Sequence, residues 1–328
     1  MKHSHIVVLL AKIFVTTLLS AALVFGQQYD SALSWNKGMK VPASNPLNAS
    51  KVALGKRLFF DTRLSVDEWL SCASCHDPAH AFSETRRVSV GVLGQRGKRH
   101  APTLLGRGLG ESQFWDGRVA TLEEQVLLPI VSPDEMGMNL EAVLRRLNQD
   151  PAYRGLTRES LADALSSYLR TIRSENSSYD LFVSGWPGVL SELELEGLNL
   201  FRGKARCNLC HSGSQFTDEA FHNTGVAWNE AALQDEGRAA ITGKPWHKGA
   251  FKTPTLREVG QRGPYMHDGS LTTLEDVIDY YDAGGNKNPY LDEKVVPLHL
   301  SAEEKKALLA FLRNGLAGYI RDGIKKSM

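Results

Sequence analysis

The sequence predicts a mainly α-helical chain of two domains related by internal duplication, with few short strands. Three observations predict it. All four cysteines fall in two pentapeptides of one pattern, Cys72-Ala73-Ser74-Cys75-His76 and Cys207-Asn208-Leu209-Cys210-His211. The segments that follow each pentapeptide echo one another. Capped apolar runs with helical spacing outnumber runs short enough to be strands.

A length of 328 residues leaves room for two domains of ordinary size. Apolar residues at 42% and charged residues at 23% are globular values. Basic residues number 38 against 37 acidic, so the basic excess that a nucleic-acid binder needs is missing.

Residues 1–26 read as a secretory signal. Lys2 gives the positive start, Ile6 to Phe25 is apolar apart from Lys12 and some Ser and Thr, and Gly26 offers a small residue at the cleavage edge. An uncleaved anchor is the rival reading, since the stretch is nearly long enough to span a bilayer. Lys12 and the small-residue end favour cleavage and export to the periplasm. No second apolar segment is long enough to cross.

C-x-x-C-H is the attachment pattern of c-type haem. Two thiols three positions apart can form thioethers to the two vinyl groups of one porphyrin, and the next residue sets an imidazole on its iron. A four-thiolate zinc site would explain neither histidine. A redox C-x-x-C would want a βαβ context that is not visible. Disulfides within C-x-x-C would close tiny loops. Two covalent haems follow, bound by Cys72, Cys75 and His76 and by Cys207, Cys210 and His211.

The duplication comes next along the chain. Ala101-Pro102-Thr103-Leu104 matches Thr253-Pro254-Thr255-Leu256, and Asp116-Gly117 and Asp268-Gly269 lie 14 residues after each proline. Thr121-Leu122-Glu123 matches Thr273-Leu274-Glu275, and Tyr168-Leu169-Arg170 echoes Phe311-Leu312-Arg313. The expected domains are residues 27–180 and 181–328, joined in a stretch rich in Asn, Ser, Gly and Pro. Thr121-x-x-Glu124, Thr273-x-x-Asp276 and Ser301-x-x-Glu304 read as capping boxes that open helices.

The repeat also serves as an internal control. Leu274, Val277, Ile278 and Tyr281 share one helix face, with Tyr280 off it. Tyr281 lies 14 residues after His267, and its counterpart 14 residues after Trp115 is Pro129. If this helix crosses the far side of its haem, Tyr281 offers a phenolate to iron where Pro129 offers nothing. One haem would then be closed and the other open. Spacing alone leaves Tyr281 equally readable as a core aromatic. Likewise Glu135 reads also as a surface carboxylate, His222 as a structural histidine and Trp115 as a core indole.

Leu54-Gly55-Lys56-Arg57-Leu58-Phe59-Phe60-Asp61, Gln113-Phe114-Trp115-Asp116-Gly117-Arg118, Pro264-Tyr265-Met266-His267-Asp268-Gly269 and both C-x-x-C-H sites carry a family resemblance. The chain resembles the bacterial diheme cytochrome c peroxidase and methylamine-utilisation (MauG) superfamily over nearly its whole mature length. The resemblance implies an open, peroxide-reactive N-terminal haem and a closed C-terminal haem that exchanges electrons. It implies methionine as the closing ligand in ordinary peroxidases and tyrosine in the MauG-like branch, here Tyr281. Ordinary peroxidases carry a histidine before the Pro-Thr-Leu segment; Ser89 to Lys98 contains none. Both departures point to the MauG-like branch.

By the same resemblance, Gln125, Pro129, Glu135 and His222 line the distal pocket. Glu135 is then the acid–base group, His222 and Gln125 orient water or peroxide, and Trp115 lies between the haems. The family's calcium ion would fall at His100, Arg262 and Pro264. His100 stands where the family has asparagine, and imidazole is a poor ligand for a cation that prefers oxygen. Three functions remain open. Two use hydrogen peroxide, with electrons from a small cytochrome c or cupredoxin, or from residues of a partner protein that are oxidised. The third is a plain diheme carrier, against which Pro129 and Glu135 argue.

Overall fold

Helix starts follow the side chains that satisfy their first free N–H groups. The computed structural model describes residues 38–229 and 232–324, so the signal read at 1–26 lies outside the described residues. The helices are α1 (Ala49–Phe59), α2 (Leu122–Gln125), α3 (Leu128–Val131), α4 (Leu140–Leu147), α5 (Arg158–Thr171), α6 (Ser178–Val183), α7 (Glu192–Arg202), α8 (Ala239–Thr242), α9 (Leu274–Asp282) and α10 (Ala302–Ala310). Thr273 and Asp276 form a reciprocal box at α9, as do Ser301 and Glu304 at α10. At α2 only half the expected box forms: Thr121 accepts from Glu124 N.

The strands are short: β1 (Arg173–Glu175), β2 (Phe221–His222), β3 (Trp228–Asn229), β4 (Ala232–Leu233), β5 (Phe251–Lys252) and β6 (Tyr319–Arg321). They pair antiparallel as β1–β6, β2–β5 and β3–β4. The fold is therefore mainly helical, with three two-stranded ribbons among the described residues.

One core cluster runs from Val52 to Ile172 and packs against Cys72; a second runs from Leu190 to Leu316 and packs against Cys207. Each is centred on a pair of crossing helices, and the two crossings are built alike. A Cβ on Gly55 of α1 would lie 1.9 Å from the Ala164 carbonyl oxygen of α5. A Cβ on Gly197 of α7 would lie 2.1 Å from the Ala307 carbonyl oxygen of α10. Only glycine permits so close an approach. One turn further on, Phe59 meets Tyr168 edge-on at 5.3 Å and Phe201 meets Phe311 at 5.5 Å, both at 63°.

Ion pairs tie the halves together. Arg107 bonds Glu219 at 2.8 Å, and Arg257 grips Asp180 through two bonds of 2.8 and 2.9 Å with both side chains buried. The chain end returns to the first half. Asp322, just past β6, accepts from Tyr168 Oη at 2.9 Å and pairs with Lys56 at 2.7 Å.

Candidate haem sites and active-site cavity

Each C-x-x-C-H begins as a tight 3₁₀ turn that sets two thiols and an imidazole on one side. Cys72 O accepts from Cys75 N at 3.3 Å and His76 N at 3.0 Å. Cys207 O accepts from Cys210 N at 3.3 Å and His211 N at 2.9 Å. His76 Nδ1 donates to Phe82 O at 3.3 Å, and His211 Nδ1 to Phe216 O at 2.9 Å. In both rings Nε2 is left as the free donor atom for iron.

The repeated Pro-Thr-Leu segments hold these carbonyls in place. Thr103 Oγ1 donates to Ala81 O at 2.5 Å, and Thr255 Oγ1 to Gln215 O at 2.6 Å. Ala81 and Gln215 immediately precede Phe82 and Phe216. Phe82 and Phe216 sit at φ of 56° and 51°, a turn that aims each carbonyl back at its histidine. The Pro102 and Pro254 carbonyls face the same two rings. Burial lowers both imidazoles to about 4, so each is the neutral form that a metal requires.

The donor set fits haem c. All four cysteines are free, and burial pushes the Cys72 and Cys207 thiols up to about 12. Two unionised thiols and a neutral imidazole line the wall of a cavity of about 1310 Å³ at the first site. That exceeds the roughly 300–1,000 Å³ of ordinary ligand pockets.

The same cavity is lined by Gln125, Pro129 and Glu135. Here α2 stops at Gln125, and α3 restarts with Pro129 as its second residue. The Pro129 carbonyl accepts from Met136 N at 3.1 Å, which folds the chain back and brings Glu135 to the cavity. The Glu135 backbone is held at both ends, its N–H donating to Ser132 O at 3.1 Å and its carbonyl accepting from Val92 N at 2.8 Å. Burial raises the Glu135 carboxyl above its usual range; the Arg118 cation opposes this and Asp134 adds to it.

Trp115 and His267 both line the cavity. Trp115 Nε1 donates to His100 O at 2.8 Å, and His100 N donates to His267 O at 2.7 Å. One peptide segment thus links the two positions that the duplication aligned.

At the second site the counterpart helix does not break. α9 runs unbroken to Asp282 and carries Tyr281 to the cysteines. Tyr281 hydrogen-bonds Thr224. Burial first, then Tyr280 and the Cys210 and Cys207 thiols, pushes its phenol well above the usual range. The proton therefore stays on the oxygen until a cation draws it off. Tyr280 bonds the backbone of the same residue, donating to Thr224 O at 2.9 Å, and lines the first cavity.

His222 is the correction. It does not line the first cavity but stands beside Cys210 at the second site. Nδ1 meets Asp292 Oδ2 at 2.5 Å and Nε2 meets Asp218 Oδ2 at 2.9 Å. The pleat of β2 is the reason: adjacent residues point to opposite faces. Phe221 faces the Asp116-Gly117 turn under the Arg238 guanidinium, which sends His222 the other way. The Cys210 thiol, then Asp292 and Asp218, raise His222 to about 9 against burial. The thiol's share disappears when Cys210 becomes a thioether, and the two carboxylates remain.

The side chains at the three calcium positions, His100, Arg262 and Pro264, carry no oxygen donor. His100 uses both ring nitrogens, Nδ1 with Arg86 O at 3.1 Å and Nε2 with Ser83 Oγ at 3.3 Å. Arg262 places a buried cation beside it.

The sequence of the di-haem cytochrome c peroxidase family matches residues 49–187. Methylamine utilization protein MauG of Methylorubrum extorquens is 39% identical over 285 residues, covering 83% of this chain and 79% of that protein. Cytochrome-c peroxidase IdrP2 of Denitromonas iodatirespirans is 35% identical, covering 83% of each. The crystal structure of a MauG-like protein associated with microbial copper homeostasis superposes with a TM-score of 0.81 at 33% identity, over 85% of this chain and 93% of that one. Two c-type haem sites on a duplicated helical frame define a peroxidase-like haem oxidoreductase. The chain belongs to the di-haem cytochrome c peroxidase and MauG family, and its cofactors are two haems c.

Proposed function

We propose that the chain reduces hydrogen peroxide at the first haem site and draws electrons through the second. The carrying observation is the asymmetry of the duplicate: Pro129 stands on the wall of the first cavity, whereas Tyr281 approaches Cys207 and Cys210 at the second site. Bound haem supplies the iron that accepts peroxide and passes electrons. The balance is one peroxide, two electrons and two protons to two waters. Glu135 takes the proton of the near oxygen and returns it to the far one, a task suited to a carboxyl raised by burial. Gln125 orients peroxide from the same wall. Trp115, joined to His267 through the His100 segment, relays electrons between the halves. The domains in this reading are 27–180 and 181–328; the two separate core clusters support two units, with Tyr179 of α6 already packing on the second. Export to the periplasm rests on residues 1–26; among the described residues no helix is long and apolar enough to cross a membrane.

The electrons come from a small cytochrome c or cupredoxin, or from residues of a partner protein that are themselves oxidised. Tyr281 favours the second source. A phenolate is a hard anionic donor that holds iron ferric, whereas a thioether raises the potential. A tyrosine-closed haem accepts electrons from a donor reluctantly and gives them up readily. The test is the potential and spectrum of the second haem with Tyr281→Met alongside. The parent should lack a methionine–iron charge-transfer band, and the variant should show one and a higher potential. Such a band in the parent overturns the assignment of Tyr281. Fast steady-state turnover with a reduced cytochrome would return the chain to the ordinary peroxidases.

A further inference from the structure

Arg262 is a buried cation with too few partners. Its side chain is 8% exposed, Nη2 donates to Thr255 O at 2.6 Å, and Nε has no hydrogen-bond partner. No carboxylate among the described residues forms an ion pair with it; Glu258, the nearest acid to influence it, is engaged by Ser174, Gly318 N and Gln261. Burying a guanidinium without an anion is costly, so something absent from the chain's own side chains must answer it.

Its location identifies the task. Arg262 lies beside His100 of the first half, close enough for its charge to act on that ring, and its charge also acts on His211 of the second site. Thr255, which takes its Nη2–H, lines the first cavity together with His100. The cation therefore sits between the two haem sites, where the family resemblance would put calcium. Calcium takes six to eight oxygen ligands, from carboxylates, carbonyls or water. Here the side chains are an imidazole with both nitrogens engaged and a guanidinium that repels any second cation.

We propose that the Arg262 guanidinium permanently replaces the calcium ion between the haems, so that this chain neither binds nor requires calcium. A covalently held haem brings carboxylates, the class of anion that the unpaired Nε–H and the buried charge call for. The inference holds whichever donor supplies the electrons, because its first readout is metal content and not turnover.

The experiment uses the diheme holoprotein dialysed against EGTA. Calcium is measured by elemental analysis and calorimetric titration, and both haem spectra and potentials are recorded. Expected are no stoichiometric calcium, no heat on adding calcium chloride, and spectra that EGTA does not alter. One calcium per chain, lost to EGTA with a change in the haem spectra, overturns the proposal. Arg262→Lys and Arg262→Gln then isolate the charge. Lysine should keep the parent potentials and glutamine should lower that of the second haem, since a nearby cation favours ferrous iron. Equal potentials in the two variants refute the electrostatic task. In His100→Asn with Arg262→Thr, which adds oxygen donors and removes the charge, calcium should bind and EGTA should now perturb the spectra. A folded double variant that still ignores calcium counts against the replacement.

Discussion

Glu135→Gln removes one ionisable group and keeps its shape. The carboxyl sits on the cavity wall near the Cys72 and Cys75 thiols, with its backbone fixed by Ser132 and Val92, so the amide should occupy the same place. Gln can orient peroxide but cannot carry its proton. A positioned acid–base group contributes about 10²–10⁴ in rate. At about 1.4 kcal/mol per tenfold, the barrier should rise by about 3–5 kcal/mol. The assay is stopped-flow absorbance of the holoprotein against peroxide from acid to neutral pH. The parent rate should fall as pH drops through the raised Glu135 value, because the carboxylate is the working form. The variant should be slow and should lack that limb. Stability separates this from damage. A carboxyl whose native value is raised gives stability that is full below its unfolded value, about 4.3, and lost as pH rises through the native one. At neutral pH the amide therefore removes a penalty, and the variant should melt no lower than the parent. A peroxide rate within threefold of the parent, with both haems present, would refute the role of Glu135.

Cys72→Ala with Cys75→Ala should lower the intact mass by one haem and abolish peroxide reactivity, while the second haem's spectrum persists. Trp115→Phe removes the hydrogen bond to His100 O and an oxidisable ring; peroxide binding should hold while electron exchange between the haems slows in stopped-flow traces. Gly197→Ala places a methyl 2.1 Å from Ala307 O and should cost about 1–3 kcal/mol in a denaturant melt, with Gly55→Ala costing a similar amount.

The haem sites were legible because thioether attachment demands particular residue types at a fixed spacing. The placement of Tyr281 near Cys207 and Cys210 was legible because a duplicated chain carries its own control in Pro129. The acceptors that orient His76 and His211 were not, because the Phe82 and Phe216 carbonyls belong to the backbone and leave no mark in residue type. Their signal was present in another form: the repeated threonines Thr103 and Thr255 bond the carbonyls of Ala81 and Gln215, one residue earlier in each turn. Gly55 and Gly197 also repeat, but each reads as an ordinary helix glycine until its crossing partner is seen. His222 was misplaced because a two-residue strand turns on parity. Which face it takes depends on the register of β2 against β5, Phe221 opposite Lys252, and no local pattern fixes that.

The pairing of β1 with β6 joins Arg173 to Arg321, and Asp322 beyond it reaches back to Lys56 and Tyr168. The first core is therefore clasped by a strand that follows the whole of the second core in sequence. The clasp couples the halves: whatever loosens β6 from β1 also frees the Asp322 grip on α1 and α5, the helices that pack beside Cys72.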